Sequence, residues 1–371
     1  MNRMKDKEPM FHIVRRKQLP PFQAVLIKLA AVFLALIVCG ILTALLTGED
    51  PVRVYATIVD GSLGSQRRFW STLQNAAILL CVSLALTPAF LMRFWNVGGE
   101  GQILMGSLAT AACMLKLGNR LPPLLLFPVM LITGMLAGAL WALLPAFCKA
   151  MWKTNETLST LMLNYIATQL VAYYVVLWEN PKGSGNVGVI NSDTKAGWFP
   201  SLFGQKYLLN VLIVLAVLFF LSVYLRVTKH GYELSVVGES ERTARYLGIK
   251  VTRVILRTAA LSGALCGLSG VLLVAGTNHT ITTTIAGGRG FTAVMISWMS
   301  KFDPLVMALT SFFISFLERG AGEIATVFSL NTSFSDILTG IILFFLIGSD
   351  FFISYQIVPT GKRPGKERKN V

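Results

Sequence analysis

Long apolar stretches separated by short polar connections run along most of this chain. A membrane-spanning helix needs about 20 apolar residues, and fewer where the segment is re-entrant or broken. By that measure the pattern predicts ten spans, at about residues 24–47, 72–92, 102–117, 122–146, 158–178, 207–226, 254–276, 290–300, 303–319 and 335–356. The sequence therefore predicts an all-α polytopic membrane protein, with one membrane domain that covers residues 1–371.

Two of these spans, the third and the eighth, are unusually short, and each begins at a glycine-rich tetrad. The tetrads are residues 98–101 (Gly-Gly-Glu-Gly) and 287–290 (Gly-Gly-Arg-Gly). Irregular backbone at membrane depth is tolerated only where protein or a water-filled cavity covers its polar groups, so both tetrads are expected inside the helix bundle. Because five spans separate their starts, they enter from opposite faces, and the halves, about 20–180 and 205–360, are predicted to form an inverted repeat.

This arrangement is typical of transporters, because in inverted-repeat carriers the substrate site forms where Gly-interrupted helices of the two halves face each other. The alternative is that the tetrads merely allow close helix packing, as Gly134-x-x-x-Gly138 and Gly263-x-x-x-Gly267 are expected to do. The charged residue inside each tetrad favours the transport interpretation.

Composition and charge exclude a soluble class. Hydrophobic residues make up 54% of the chain and charged residues only 14%, whereas soluble domains carry about 25% charged residues. The net charge of +15 does not indicate nucleic-acid binding, because the basic residues collect at the two ends and in loops. The positive-inside rule places these basic segments, and hence both termini, in the cytoplasm. They are the tail from Arg3 to Lys17, the Lys149/Lys153 loop, residues 226–257 and the tail from Lys362 to Lys369.

The residue types that support metal or ATP chemistry are not arranged for it. Five cysteines lie in or beside apolar stretches without metal-ligand spacing, and three histidines fall in separate loops or tails. No Gly-x-x-x-x-Gly-Lys-Ser/Thr sequence occurs, so ATP hydrolysis by a P-loop of its own is not expected. An intramembrane enzyme would need a catalytic pair within the spans, and a channel would need a filter sequence. Neither pattern is visible.

The first tetrad offers groups that a polar solute can contact. Gly99 lets the backbone approach a ligand, and Asn96, Glu100 and Gln102 carry side-chain donors and acceptors. A carboxylate within the membrane is costly, so Glu100 is expected to be functional or paired. Its natural partner is Arg289 of the second tetrad. The alternative is that Glu100 binds substrate hydroxyls.

A polar cluster opens the fifth predicted span. Asn155 or Thr157 is placed to cap the helix, and Glu156 lies near its positive end. Asn164 and Tyr165 then lie two turns inside the span, where polar side chains either contact the substrate or hold helices together.

Four aromatic residues accompany the tetrads and this cluster: Trp95, Tyr165, Phe291 and Trp298. Rings of this kind stack on a planar ligand, or they pack within the bundle. The sequence leaves both interpretations open.

The predicted cytoplasmic loop at about 227–253 mixes charged and apolar residues. Its middle is expected to form a short amphipathic helix, with Ser240 as the cap and Gly248 as the stop. A compact loop of this composition suggests a docking surface. The alternative is a solvated positive-inside loop.

Several of these segments resemble one known family, the ABC-importer permeases of the simple-sugar and branched-chain-amino-acid superfamily. The closest branch is the nucleoside-type permeases served by basic-membrane-protein lipoproteins, and the resemblance runs from about Ala24 to Tyr355. The segments that carry it are 96–102 (Asn-Val-Gly-Gly-Glu-Gly-Gln), 155–165 (Asn-Glu-Thr-Leu-Ser-Thr-Leu-Met-Leu-Asn-Tyr), the loop 238–248, 261–270 (Leu-Ser-Gly-Ala-Leu-Cys-Gly-Leu-Ser-Gly) and 288–291 (Gly-Arg-Gly-Phe). Residues 297–300 (Ser-Trp-Met-Ser) are bulkier and more polar than the small aliphatic run usual in the family, so substrate preference can differ.

The resemblance implies an ATP-driven importer of nucleosides in the cytoplasmic membrane of a bacterium, with a ribose- or galactose-type sugar permease as the alternative. It implies that a separate ATPase subunit binds ATP, so that this chain is no enzyme and needs no cofactor of its own. It also implies an extracytoplasmic lipoprotein that delivers substrate to the loop 180–206, and a second, similar permease in a heterodimer. The residues expected to couple to the ATPase are Gly238, Glu239, Glu241, Arg242, Arg245 and Gly248.

Overall fold

A computed structural model describes residues 11–16, 20–48 and 50–359 of the chain. Over those residues it contains thirteen α-helices and two short strands. The first helices are α1 (Pro21–Thr47), α2 (Pro51–Leu63), α3 (Gln66–Leu91), α4 (Gly99–Leu117), α5 (Pro123–Trp152), α6 (Glu156–Trp178) and α7 (Leu208–Val227). They are followed by α8 (Lys229–Glu239), α9 (Glu241–Tyr246), α10 (Val251–Leu273), α11 (Arg289–Met299), α12 (Pro304–Val327) and α13 (Thr332–Ser354).

Each of the ten predicted spans coincides with one of these helices, which confirms an all-α polytopic membrane protein. Within the described part of the chain, eight helices are long and apolar enough to cross a membrane by themselves. The two predicted spans outside that set are α4 and α11, the helices that begin at the glycine tetrads. At 11 residues, α11 is about 17 Å long and cannot cross a hydrocarbon core of about 30 Å. It is therefore a half-helix, as the sequence predicts for a broken segment.

The sequence did not predict several local elements. Helix α2 forms within the connection between the first two spans. Strands β1 (Phe11–Arg15) and β2 (Tyr355–Pro359) pair antiparallel, with Phe11 opposite Pro359. Of the two predicted cytoplasmic tails, residues 1–10, 17–19 and 360–371 lie outside the described residues.

The chain divides into two compact units. One unit combines the chain before residue 62 with the chain after residue 319, and in it α1 packs against α13 beside the strand pair. The other unit, residues 62–319, contains both tetrads. The inverted-repeat relation between the two halves stays a prediction.

Helices α3 and α10 form the core of the second unit. Residues 76–90 of α3 are all buried, and α10 packs most extensively against α5. Where the two Gly-x-x-x-Gly segments of α5 and α10 cross there is no room for a side chain, because a Cβ at Gly138 would overlap the carbonyl oxygen of Gly263. This confirms the predicted small-residue packing of the two Gly-x-x-x-Gly segments.

The predicted loop 227–253 is an ordered subdomain of two helices, α8 and α9. Its apolar residues Leu234, Val237 and Ala244 are buried in one cluster with the ends of α3, α5 and α10. Gly238 presses on the end of α3 so closely that an added Cβ would overlap the carbonyl oxygen of Leu91. The subdomain therefore rests directly on the helix that leads into the first tetrad.

A second ordered connection covers the end of α10. After α10 the chain makes one π-helical turn, Val274–Asn278, and the segment before α7 folds over it. The backbone N–H of Phe199 donates to the carbonyl of Ala275 at 3.0 Å, and the ring of Trp198 stacks on His279 with centroids 3.8 Å apart. This cover lies on the predicted external side.

Candidate functional site

The two glycine tetrads meet, and the carboxylate of Glu100 joins them. The backbone N–H of Gly288 donates to Glu100 Oε1 and the N–H of Gly290 donates to Glu100 Oε2, each at 2.8 Å. Glu100 lies in the first turn of α4, and both amides lie at the start of α11. Two helix N-termini thus converge on one carboxylate, whose charge offsets their positive ends. The first tetrad is buried except for the partly exposed Glu100, as expected, whereas in the second Gly290 is buried and Gly287 is exposed.

Glycine is required at this junction for two physical reasons. Gly288 has φ +73°, a left-handed conformation that side chains disfavour. At Gly290 an added Cβ would overlap the backbone nitrogen of Glu100, and one at Gly99 would lie 3.5 Å from the Cα of Gly290. The tetrad sequence therefore allows the two backbones to touch.

Arg289 does not occupy the position that the sequence suggested for it. Among the described residues, the ion pairs within 4.0 Å do not include Glu100 with Arg289. Its guanidinium donates instead to the carbonyl of Ala286 at 3.2 Å and to Asn75 Oδ1 of α3 at 3.4 Å. The expected side-chain pair is thus replaced by a carboxylate that binds backbone amides. The physical reason is that the exposed amides of the half-helix lie closer to Glu100 than the arginine head.

Asn164 holds the first tetrad in place from α6. Its Oδ1 accepts the N–H of Gly101 at 2.9 Å, and its Nδ2 donates to the carbonyl of Val97 at 3.0 Å. Thr160, one turn earlier, accepts the N–H of Val97 at 3.3 Å. Asn164 is buried, and its amide satisfies two groups that the broken helix leaves open. The geometry therefore supports the interhelical role over direct contact with a solute.

Asn96 and Gln102 are paired with each other. Gln102 Nε2 donates to Asn96 Oδ1 at 3.0 Å, and Asn96 Nδ2 donates to Ser262 Oγ of α10 at 3.1 Å. Asn96 Oδ1 also accepts the N–H of Gly98. Both amides are about 1% exposed. In this conformation they brace the tetrad and present no free polar group to a solute.

Half-exposed aromatic rings lie around the junction. Trp95, three residues before the first tetrad, stacks on Trp298 near the end of α11, with centroids 5.1 Å apart and planes 14° apart. Phe90 contacts both rings edge-on or tilted, with centroids 6.1 Å from each. Trp95 and Trp298 are each 45% exposed, and Phe291 on α11 is also exposed. These rings, unlike the buried amides, are accessible to a ligand.

Helix α6 carries a polar stripe that sequence reasoning identified only in part. Tyr165, Gln169 and Tyr173 recur every four residues, so they share one face, and all three are exposed. Gln169 lies near the middle of the span, where exposure of an amide to lipid is costly. In the sequence, only the four-residue spacing from Tyr165 could have indicated Gln169 and Tyr173. The spacing puts them on one face of the helix, but only the structure shows that this face is exposed.

Five of the six predicted coupling residues lie at the exposed end of the α8–α9 subdomain. Ser240 caps α9 by accepting the N–H of Thr243 at 3.3 Å, and Gly248 follows the helix with φ +77°, as predicted. Glu241 and Arg245 form an exposed ion pair of 3.7 Å within α9. Glu239 and Arg242 are exposed as well, whereas Gly238 is buried against α3. Tyr246, at the end of the helix, is 95% exposed.

Comparisons with known proteins agree with this architecture. Residues 69–347 match the model of a family described as the permease component of branched-chain amino acid transport systems. The chain belongs to this permease family. The match covers α4, α10 and α11, and therefore the whole junction of the tetrads.

Individual relatives extend over nearly the whole chain. A glucose ABC transporter permease of Haloferax volcanii is 28% identical over 95% of this chain and 94% of its own length. A nucleoside ABC transporter permease of Lactococcus lactis is 25% identical over 91% of this chain and 94% of its own. A guanosine ABC transporter permease of Bacillus subtilis is 25% identical over 87% of this chain and 93% of its own length. The resemblance to simple-sugar and nucleoside-type permeases is confirmed, and the chain is an ABC transporter permease.

Proposed function

We propose that this permease carries nucleosides inward as the membrane subunit of an ATP-driven importer. The observation that carries the proposal is the stacked pair Trp95 and Trp298 beside the tetrads. A nucleobase has a planar face that stacks on such rings, and stacking of this kind contributes about 1–3 kcal/mol per base. The relatives named for nucleosides and guanosine support the same solute class.

The second candidate is a simple sugar, which the glucose permease of Haloferax volcanii favours. A sugar is recognised mainly through its hydroxyl groups. In the present conformation the amides of Asn96, Gln102 and Asn164 are satisfied within the protein. They offer a sugar no free partner, so the aromatic surface gives the nucleoside the stronger support.

We infer that the solute moves along a surface made of the exposed rings and the polar stripe of α6. Trp95, Trp298 and Phe291 are exposed beside the junction, and Tyr165 follows Asn164, whose amide binds that junction. Tyrosine hydroxyls and the amide of Gln169 supply the polar partners that a ribose needs. Exposed polar groups within a span are candidates for a solute path, because their exposure to lipid is costly.

We propose a binding region on the chain for each partner that the family resemblance implies. The exposed helix α9 is the docking element for a separate ATPase subunit, and Gly238 passes its movement to the end of α3, which leads to the first tetrad. The segment 180–206 on the predicted external side receives a substrate-binding lipoprotein. A second, similar permease completes the membrane core as a heterodimer.

A reconstituted importer tests the substrate. Proteoliposomes that contain the chain with its ATPase and companion permease should take up labelled guanosine only when ATP is present. Excess adenosine should compete with the label, whereas ribose and glucose should not. ATP-dependent uptake of glucose, with competition by sugars alone, would assign the sugar function instead.

Docking of the ATPase is tested separately by copurification. Tyr246→Ala should reduce ATPase recovery, because it removes the most exposed aromatic side chain of α9. Phe203→Ala is the matched control, since Phe203 is 94% exposed on the predicted external segment and should not matter. Equal recovery with both variants would show that α9 does not dock the ATPase.

A further inference from the structure

A basic cavity of about 430 Å³ lies on the predicted cytoplasmic side, between α8, the turn after α9 and the start of α10. Three cationic residues line it: Lys229, Lys250 and Arg253. All three are exposed, and none forms an ion pair with a carboxylate among the described residues. The cavity therefore concentrates positive charge that the protein itself does not neutralise.

The carboxylate in the cavity wall does not alter this balance. Glu233 is paired with Arg257, whose Nη2 lies 3.2 Å from Glu233 Oε2. The N-terminus of α10 adds to the positive potential, because Lys250 precedes it and no side chain caps its first amides. Tyr232 adds a hydroxyl group to the wall. Together these groups suit an anion with several acceptor oxygens, such as a phosphate ester.

A neighbouring apolar groove indicates which phosphate ester fits. The groove has a volume of about 700 Å³ and lies between α5 and α6, with Leu144, Met162, Ile166 and Leu256 among its walls. Leu256 follows Arg253 by three residues on α10, which is about 4.5 Å along the helix axis. Residues three apart on a helix are neighbours. The wall of the charged cavity at Arg253 and the wall of the apolar groove at Leu256 therefore lie on adjacent turns of α10. A molecule with a phosphate headgroup and an acyl chain fits a charged cavity that is followed by an apolar groove.

We propose that this cavity binds the headgroup of an anionic phospholipid from the cytoplasmic leaflet, with an acyl chain in the groove between α5 and α6. Clusters of Lys and Arg at the cytoplasmic ends of membrane helices attract anionic lipids. The cavity is built by the same subdomain that carries α9 and presses on α3. A lipid bound there braces the coupling subdomain against the membrane.

The test measures lipid binding to the purified full chain by native mass spectrometry. The variant Lys229→Gln/Lys250→Gln/Arg253→Gln removes the three charges of the cavity. The control variant Arg93→Gln/Lys153→Gln/Lys301→Gln removes three exposed charges outside it. Phosphatidylglycerol should bind the wild type and the control variant at least about 10-fold more tightly than the cavity variant, and phosphatidylcholine with the same chains should not discriminate.

Three outcomes overturn the proposal. Equal phosphatidylglycerol affinity of the cavity and control variants shows that the headgroup binds elsewhere. Competition by inorganic phosphate alone, at the affinity of the lipid, identifies a soluble anion. If the cavity variant keeps its lipid affinity but loses its ATPase in copurification, the cavity holds an acidic segment of that partner.

The variant Leu256→Ala tests the groove. It should lower the affinity for phosphatidylglycerol with long acyl chains and leave the affinity for the form with six-carbon chains unchanged. Equal loss of affinity for both forms excludes the groove as the site of the acyl chain.

Discussion

The buried amides and the half-exposed rings at the tetrads were both candidate ligand contacts from sequence, yet the structure gives them opposite surroundings. Asn96, Gln102 and Asn164 are buried and hydrogen-bonded within the protein. Trp95 and Trp298 lie half-exposed on the same junction. Polar residue type alone therefore does not identify a ligand contact in a membrane protein. What matters is whether the side chain still has unsatisfied groups that a solute can reach.

Helices α6 and α7 make the same point on a larger scale. The exposed side chains of α7 include Leu212, Leu215, Phe219 and Phe220, all apolar, as expected where a helix meets lipid or another apolar surface. The exposed face of α6 carries Gln169 between two tyrosines. The same face also exposes Met162 and Ile166, so α6 presents a mixed surface where α7 presents an apolar one.

Loss of the Glu100 carboxylate should have the largest effect among the hydrogen-bonded side chains at the tetrads. Glu100→Ala leaves the amides of Gly288 and Gly290 without their acceptor, and each unsatisfied buried amide costs about 1–3 kcal/mol. We expect membrane abundance and uptake to fall together. Glu100→Gln, which keeps one acceptor oxygen, should lie between wild type and Ala. Size-exclusion profiles of a fluorescent fusion measure the abundance.

An exchange of charges tests whether Glu100 acts through Arg289. The double variant Glu100→Arg/Arg289→Glu should recover nothing relative to the single variants, because the carboxylate binds backbone and not the guanidinium. A double-mutant cycle should give a coupling energy well below the about 3–5 kcal/mol that breaking a buried ion pair costs. Recovery of abundance by the exchange would contradict the observed geometry.

Asn164 and its neighbour Tyr165 offer a direct contrast between a buried, hydrogen-bonded amide and an exposed ring. Asn164→Leu leaves the N–H of Gly101 and the carbonyl of Val97 unpaired, at about 1–3 kcal/mol each, so abundance and uptake should decline in parallel. Tyr165→Leu should leave abundance unchanged and reduce uptake. If Asn164→Leu reduces uptake and leaves abundance unchanged, the amide contacts the solute and its assignment to a structural role is wrong.

The stacked rings should affect affinity with little effect on folding. Trp95→Leu and Trp298→Leu each remove a ring that stacks on a base, which at about 1–3 kcal/mol corresponds to a 5- to 150-fold rise in KM for a nucleoside. Phe219→Leu is the control, as an exposed ring of the apolar α7 face. Unchanged nucleoside KM in both tryptophan variants would remove the basis of the nucleoside proposal.

A smaller effect is expected at the external cover, where His279 packs under Trp198. Burial, together with the charge of Lys206, lowers the pKa of His279 from 6.5 to about 4. The unfolded chain therefore takes up a proton at a higher pH than the folded chain, so stability is constant above about pH 6.5 and is lost as the pH falls towards 4. Proteolysis of segment 180–206 at pH 7.5 and pH 5 measures this loss. His279→Asn should abolish the pH dependence, and its persistence would assign it to another group.

Sequence reasoning succeeded where the signal is local. Ser240 and Gly248 bound α9 as predicted, because a cap and a stop act within a few residues. It failed for Arg289, since opposite charges in matched positions gave no information about which atoms lie closest. Ser262 and Asn75, which bind Asn96 and Arg289, had no local signal at all.

By itself the sequence determined the class of protein, the positions of the ten main helices and the two glycine junctions, because apolar length and backbone freedom are properties of short segments. The tertiary structure decided which groups are satisfied and which are accessible. Glu100 binds amides 188 and 190 residues away, and no periodicity encodes a hydrogen bond over that distance. The same holds for α6, whose polar stripe became distinct from the buried Asn164 only when packing covered one face and left the other open.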